Sequence, residues 1–99
     1  MKTAPRLLEN VKGSIAPADF YRAELPTMPA PRGGGWRDAG LCVFHSDSHS
    51  GSFRVNLDTG AFKCFACGAK GADVIAFIQL RDGLSFPEAL RRLSEDWGV

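Results

Sequence analysis

Residues 42–67 open as Cys42-Val43-Phe44-His45 and close as Cys64-Phe65-Ala66-Cys67, with eighteen residues between the two halves. Each half is a pair of soft ligands three positions apart, a spacing that a tight turn brings within reach of one ion. Two such turns supply the four donors of a tetrahedral Zn²⁺. The pattern consumes all three cysteines of the chain and one of its two histidines. Four protein ligands leave no position open for water, so the expectation is one structural Zn²⁺ held by Cys42, His45, Cys64 and Cys67, not a catalytic metal. The competing reading is three core cysteines beside an incidental histidine, since free cysteine is often buried. It leaves two matched spacings around a hairpin signal unexplained. His49 stands too far from Cys42 to complete the first turn and reads as a solvated loop histidine.

Working outward, the segment between the pairs reads as a β-hairpin. Ser52-Phe53-Arg54-Val55-Asn56-Leu57 alternates, with Phe53, Val55 and Leu57 on one face and Ser52, Arg54 and Asn56 on the other. Asp58-Thr59-Gly60 is a turn, with Gly60 free to take a positive φ. In the return strand Phe62 and Cys64 share the inner face, and Lys63 lies outside beside Arg54. Residues 36–41 are expected to form a strand that delivers Cys42. Residues 46–51 form a polar loop.

After Gly68 the period changes from two to 3.6. Val74, Ile75, Phe77 and Ile78 make an apolar stripe, so residues 72–81 read as a helix that Asp82-Gly83 stops. Ser85-Phe86-Pro87-Glu88 is a capping box that opens a second helix. Phe86, Ala89, Leu90, Leu93 and Trp97 form its expected buried face. Upstream, residues 1–13 show no clear period and read as a mobile arm. Residues 15–25 read as a short helix with Pro17 in its first turn. Residues 26–35 hold three prolines and then three glycines, a linker that is stiff and then flexible. The fold class expected is small α+β: a zinc ribbon with two knuckles on an antiparallel hairpin, followed by two short helices. Residues 1–35 form an arm, helix and linker, and residues 36–99 form the ribbon domain.

Composition narrows the function. Ninety-nine residues make one small domain. An odd number of cysteines argues against a secreted disulfide framework. There is neither a membrane-length apolar run nor a signal-peptide core, so a cytoplasmic protein without membrane association is expected. Net charge is only +1, small for a protein that binds nucleic acid by charge alone. Residues 72–99 carry three basic against five acidic side chains, so a nucleic-acid surface would belong to the ribbon and to what precedes it. The carboxylates are scattered, without a paired Mg²⁺ motif. The serines near His49 lack a base-and-orienter arrangement, and glycines 33–35 do not match a phosphate loop. The chain is not expected to be an enzyme by itself.

With these elements placed, the chain resembles the zinc-binding domain of bacterial and phage DNA primases, the Cys-His-Cys-Cys zinc-finger group. The resemblance rests on Leu41-Cys42-Val43-Phe44-His45, Ser52-Phe53, Phe62-Lys63-Cys64-Phe65-Ala66-Cys67-Gly68, Gly71, Asp73-Val74-Ile75, Phe77 and Gly83-Leu84-Ser85-Phe86-Pro87-Glu88-Ala89-Leu90. It spans about residues 36–97. Relatives usually carry proline where this chain has Val43, often Pro-Ser-Phe where it has Gly51-Ser52-Phe53, and in many cases glycine or a one-residue-shorter turn where it has Ala72. These changes spare the four ligands. A full primase continues into a polymerase core, whereas this chain ends at Val99, like stand-alone versions on mobile elements and phages. The resemblance implies recognition of single-stranded DNA template in primer synthesis, in support of a separate primase, polymerase or helicase chain.

From the residues, Arg54 and Lys63 lie side by side on the solvent face and Lys70 follows the second knuckle. Trp36, Arg37 and Arg32 extend the patch. Basic and aromatic side chains on one face suit a phosphate backbone and stacked bases. Ordinary solvated strand faces also carry Lys and Arg. Of Phe44, Phe53, Phe62 and Phe65, at least three are expected in the core. The alternative function is a zinc-stabilised protein-interaction module without DNA binding, favoured by the low net charge and the acidic tail.

Overall fold

The computed structural model describes residues 5–30, 33–46 and 51–99. The alternating stretch forms the central strand pair. Strand β2, Phe53–Asn56, buries Phe53 and Val55 and leaves Arg54 and Asn56 half-buried. It pairs antiparallel with β3, Phe62–Cys64, placing Phe53 opposite Cys64, Arg54 opposite Lys63 and Val55 opposite Phe62. The connecting turn is stabilised from within: the Asn56 carboxamide oxygen accepts from the N–H groups of Asp58 and Thr59. Gly60 takes a φ of +85°. Two edge strands complete the sheet, β1 (Trp36–Asp38) against β2 and β4 (Lys70–Gly71) against β3, in the order β1-β2-β3-β4. The expected first strand, residues 36–41, is thus shorter: Gly40 turns left-handed at φ +80° and breaks the pairing. The outer strand β4 was not anticipated, because two residues carry no readable alternation.

Among the described residues four helices pack with the sheet: α1 (Pro5–Ser14), α2 (Pro17–Glu24), α3 (Val74–Asp82) and α4 (Phe86–Trp97). Asp73 caps α3 by accepting from the Ala76 N–H, so the helix starts with its apolar stripe at Val74, two residues later than the expected range of 72–81. The capping box of α4 forms as read, Ser85 accepting from Glu88 N–H and Glu88 accepting from Ser85 N–H. Ala89, Leu90 and Leu93 are buried, and Trp97 is half-buried against the core. Phe86 departs from expectation and is 42% exposed. A helical side chain covers the turn N-terminal to its own Cα. Phe86 opens the helix, so no such turn exists for it to cover.

The N-terminal segment corrects the reading of a mobile arm. From Pro5 onward it is helical, Val11 is fully buried, and α1 packs on α4. Helix α2 forms where expected and drives Phe20 and Tyr21 into an aromatic cluster centred on Phe77. Phe77 meets Tyr21, Phe44, Phe62 and Phe20 edge-to-face or nearly so, at centroid distances of 5.2, 5.4, 5.5 and 5.7 Å. The Tyr21 hydroxyl donates to Gly60 O at 2.6 Å, joining α2 to the hairpin tip. Burial, reinforced by the Asp73 carboxylate, pushes this phenol far above its ordinary pKa and keeps it a neutral donor. The glycine run is anchored at its end: Gly35 N donates to Asp58 and Gly35 O accepts from Leu57 N.

Candidate metal centre and the adjoining sheet face

The two halves of the metal motif arrive by different routes. The second knuckle follows directly from β3. Gly68 N donates to Cys64 O at 2.9 Å and Cys64 N donates to Ala69 O at 2.8 Å, folding residues 64–68 into a tight turn. Gly68 takes φ +82° to leave it. The first knuckle hangs from the segment after β1. Gly40 N donates to Asp38, and Leu41 N donates to the Thr27 hydroxyl at 2.8 Å. A side chain on Gly40 would press within 2.5 Å of Thr27 O, so glycine is required there by space as well as by φ.

These turns bring the donor atoms of Cys42, His45, Cys64 and Cys67 within 4.8 Å of one another. Cys42 Sγ lies 3.9 Å from Cys67 Sγ, and Cys64 Sγ lies 3.9 Å from His45 Nδ1. A tetrahedral ion with Zn–S bonds of about 2.3 Å needs ligand–ligand edges of about 3.8 Å. Three thiolates and one imidazole are the donor set that zinc prefers, and four donors close the site. The two buried thiols differ. Burial pushes Cys42 up to about 12, against the Phe44 N–H that hydrogen-bonds its sulfur at 3.4 Å. Burial also acts on Cys64, but the backbone N–H groups of Cys67 and Ala66 outweigh it and hold that thiol below its usual value.

The chain matches the family described as CHC2 zinc finger over residues 32–99. It belongs to the CHC2 zinc finger family. Its relatives among curated proteins are DNA primases. It is 44% identical over 93 residues to the enzyme of Streptomyces coelicolor, covering 92% of this chain and 14% of that protein. It is 48% identical over 59 residues to that of Thermotoga maritima, covering 60% of this chain and 10% of that one. The chain therefore spans about a tenth of the length of the curated relatives it matches. The crystal structure of the Aquifex aeolicus primase, described as zinc-binding and RNA polymerase domains, superposes with a TM-score of 0.72. That likeness is at 28% identity and covers 99% of this chain and 22% of that one. The fold is the small α+β fold of the primase zinc-binding domain, and the CHC2 donor set gives the protein one structural zinc.

Next to the metal centre lies the outer face of the CHC2 sheet. Register places one row across all four strands: Asp38 opposite Arg54, Arg54 opposite Lys63, and Lys63 opposite Lys70. A groove of about 590 Å³ opens on this face, lined by Trp36, Gly51, Ser52, Arg54, Lys63 and Phe65. Trp36 is 51% and Phe65 68% exposed, and the Lys63 ammonium sits 4.8 Å from the Phe65 ring centroid. Trp36, Arg54 and Lys63 are thus brought together, with Lys70 continuing the row. Arg37 pairs with Val55 and its Nε donates to Gly34 O, so it stays out of this groove, but it lines a neighbouring one with Trp36, Asp38 and Arg54. Phe53 and Phe62 are buried and Phe44 is half-buried against them, as expected. Arg32 and His49 lie outside the described residues. Sequence reasoning passed over Asp38, and it weighed Phe65 only among four phenylalanines of which at least three are expected in the core. The signal for both was the two-residue period, counted from Trp36 and from Lys63. Among the described residues no helix is long and apolar enough to cross a membrane.

Proposed function

We propose that this protein is a zinc-dependent DNA-binding accessory module that holds single-stranded template during primer synthesis. Cys42, His45, Cys64 and Cys67 ligate the zinc, and residues 36–99 carry the binding function. The observation behind the reading is the groove itself: two exposed aromatic rings, Trp36 and Phe65, stand beside Arg54 and Lys63 on an open sheet face. Bases stack on such rings while the cations follow the phosphates. The rings demand unpaired bases, because a duplex hides its base faces, whereas the cations would follow the phosphates of either form. In this reading the module serves a polymerase carried by a separate chain in mobile-element replication, in the cytoplasm, and is not itself catalytic.

Fluorescence anisotropy with single-stranded and duplex oligonucleotides across salt tests the proposal. Single strands are expected to bind preferentially, with affinity falling as salt rises, and Arg54→Ala/Lys63→Ala is expected to weaken binding about tenfold and flatten the salt slope. Absence of binding at low salt would sink it. A second reading, a protein-docking module, draws on Leu80 (51% exposed) and Phe86. It is the weaker, because Phe20 is buried and Trp97 half-buried, so they do not extend those two side chains into a patch.

A further inference from the structure

Asp38 is out of place in a surface that attracts phosphates. It begins a row that continues as Arg54, Lys63 and Lys70, and a carboxylate there repels the backbone those cations draw in. Two residues from Trp36, it shares that side chain's face of β1. It also lines, with Trp36, Arg37, Arg54 and the apolar Met28, a second groove of about 310 Å³. Trp36 and Arg54 line both grooves and so stand between them. Gly40 N donates to Asp38 Oδ1 at 3.0 Å, fixing the orientation of the carboxylate. No ion pair ties Asp38 to Arg54 among the described residues. The carboxylate is therefore an oriented acceptor on the face that carries Trp36, with Arg54 opposite it on β2. Arg54 Nε donates to Gly51 O at 3.3 Å, and its two terminal nitrogens are those that would face a ligand in the groove.

We propose that Asp38 reads the base that stacks on Trp36, selecting one with an exocyclic amine beside a ring acceptor: cytosine first, and adenine next. The proposal rests on the single-strand reading above. In an unpaired strand the Watson–Crick edge is open to side chains. The cytosine edge runs donor, acceptor, acceptor; Asp38 Oδ2 takes the N4–H, and Arg54 donates to the acceptors beyond. Thymine turns its O4 acceptor toward the carboxylate, so two oxygens face each other with no proton between them. Arg54, Lys63 and Lys70 supply affinity without regard to sequence, and Asp38 supplies the preference.

The test compares equal-length oligo(dC), oligo(dA) and oligo(dT) by anisotropy with the zinc-loaded full chain, wild type and Asp38→Asn. The wild type is expected to prefer oligo(dC) over oligo(dT) by about tenfold. Asp38→Asn keeps an oxygen for Gly40 N–H and so turns its NH₂ outward, a donor that suits thymine O4. It is expected to erase or reverse the preference while zinc content and thermal midpoint stay those of wild type. Asp38→Ala serves as the second variant, expected to lose the preference without reversing it and to bind oligo(dT) at least as tightly as wild type. Equal wild-type affinities, or a preference that survives both substitutions, would overturn the assignment and leave single-strand binding standing. No binding to any oligonucleotide would overturn both.

Discussion

The two knuckles of the metal centre present similar ligand spacing on different supports. The second is local: its turn closes through its own backbone, it follows a strand in register, and its last ligand, Cys67, is exposed. The first is tertiary: its approach is held by Thr27 from the far side of the glycine run and by Asp38, and Cys42 is buried. One half of a metal site can therefore be written in five consecutive residues, while the other needs the remainder of the fold. The same division runs through the thiols, since Cys64 is lowered by neighbouring N–H groups of its own turn and Cys42 is raised chiefly by burial.

The strongest way to break this comparison is to remove the ion. Although Cys67 is the exposed ligand, Cys67→Ser is expected to abolish the native fold, because binding free energy of structural zinc is folding free energy. Loss of near-ultraviolet dichroism and of a cooperative thermal transition would show it. A well-folded, metal-free Cys67→Ser chain would contradict the structural role. The next test is a pair of glycine substitutions, one at each knuckle. Gly40→Ala meets both a left-handed backbone and the Thr27 carbonyl, and is expected to cost about 3 kcal/mol or more. Gly68→Ala meets only the left-handed backbone, with nothing within 4 Å of the added carbon, and is expected to cost about 1–2 kcal/mol. Denaturant unfolding of the two variants gives the difference, and equal losses would mean that the first knuckle has no tertiary support. The smallest effect concerns acidity. In the metal-free protein Cys42, raised to about 12, is protonated throughout the neutral range, so zinc must displace its proton. The bound state holds fewer protons, and lowering pH therefore favours release. Competition with a chromophoric chelator is expected to show affinity falling by at least about tenfold per pH unit below neutrality.

The local half of the molecule was also the legible half. The C-x2-C turn, the alternation of residues 52–57, the Asp58-Thr59-Gly60 corner and the Ser85–Glu88 box are short-range patterns, and each formed. What escaped the sequence reading depends on distant partners. Helix α1 was hidden by its polar composition, yet Leu7, Leu8, Val11 and Ile15 recur at helical spacing behind Pro5, and that signal could have revealed it. Strand β4 exists only because β3 offers it an edge. The anchoring of Gly35 needed Asp58, a residue twenty-three positions away. Asp38 stood unnoticed because its importance lies in the register of β1 on β2.

The bond from the Tyr21 hydroxyl to Gly60 O bears on where this domain could be cut. A cassette beginning at Trp36 would contain the four metal donors and the four strands of the described residues. It would also strip the aromatic cluster of Phe20 and Tyr21, leave the Gly60 carbonyl bare at the hairpin tip, and uncover the leucines of α4. For anyone grafting this ribbon onto another protein, the smallest portable unit begins with the helices ahead of the motif.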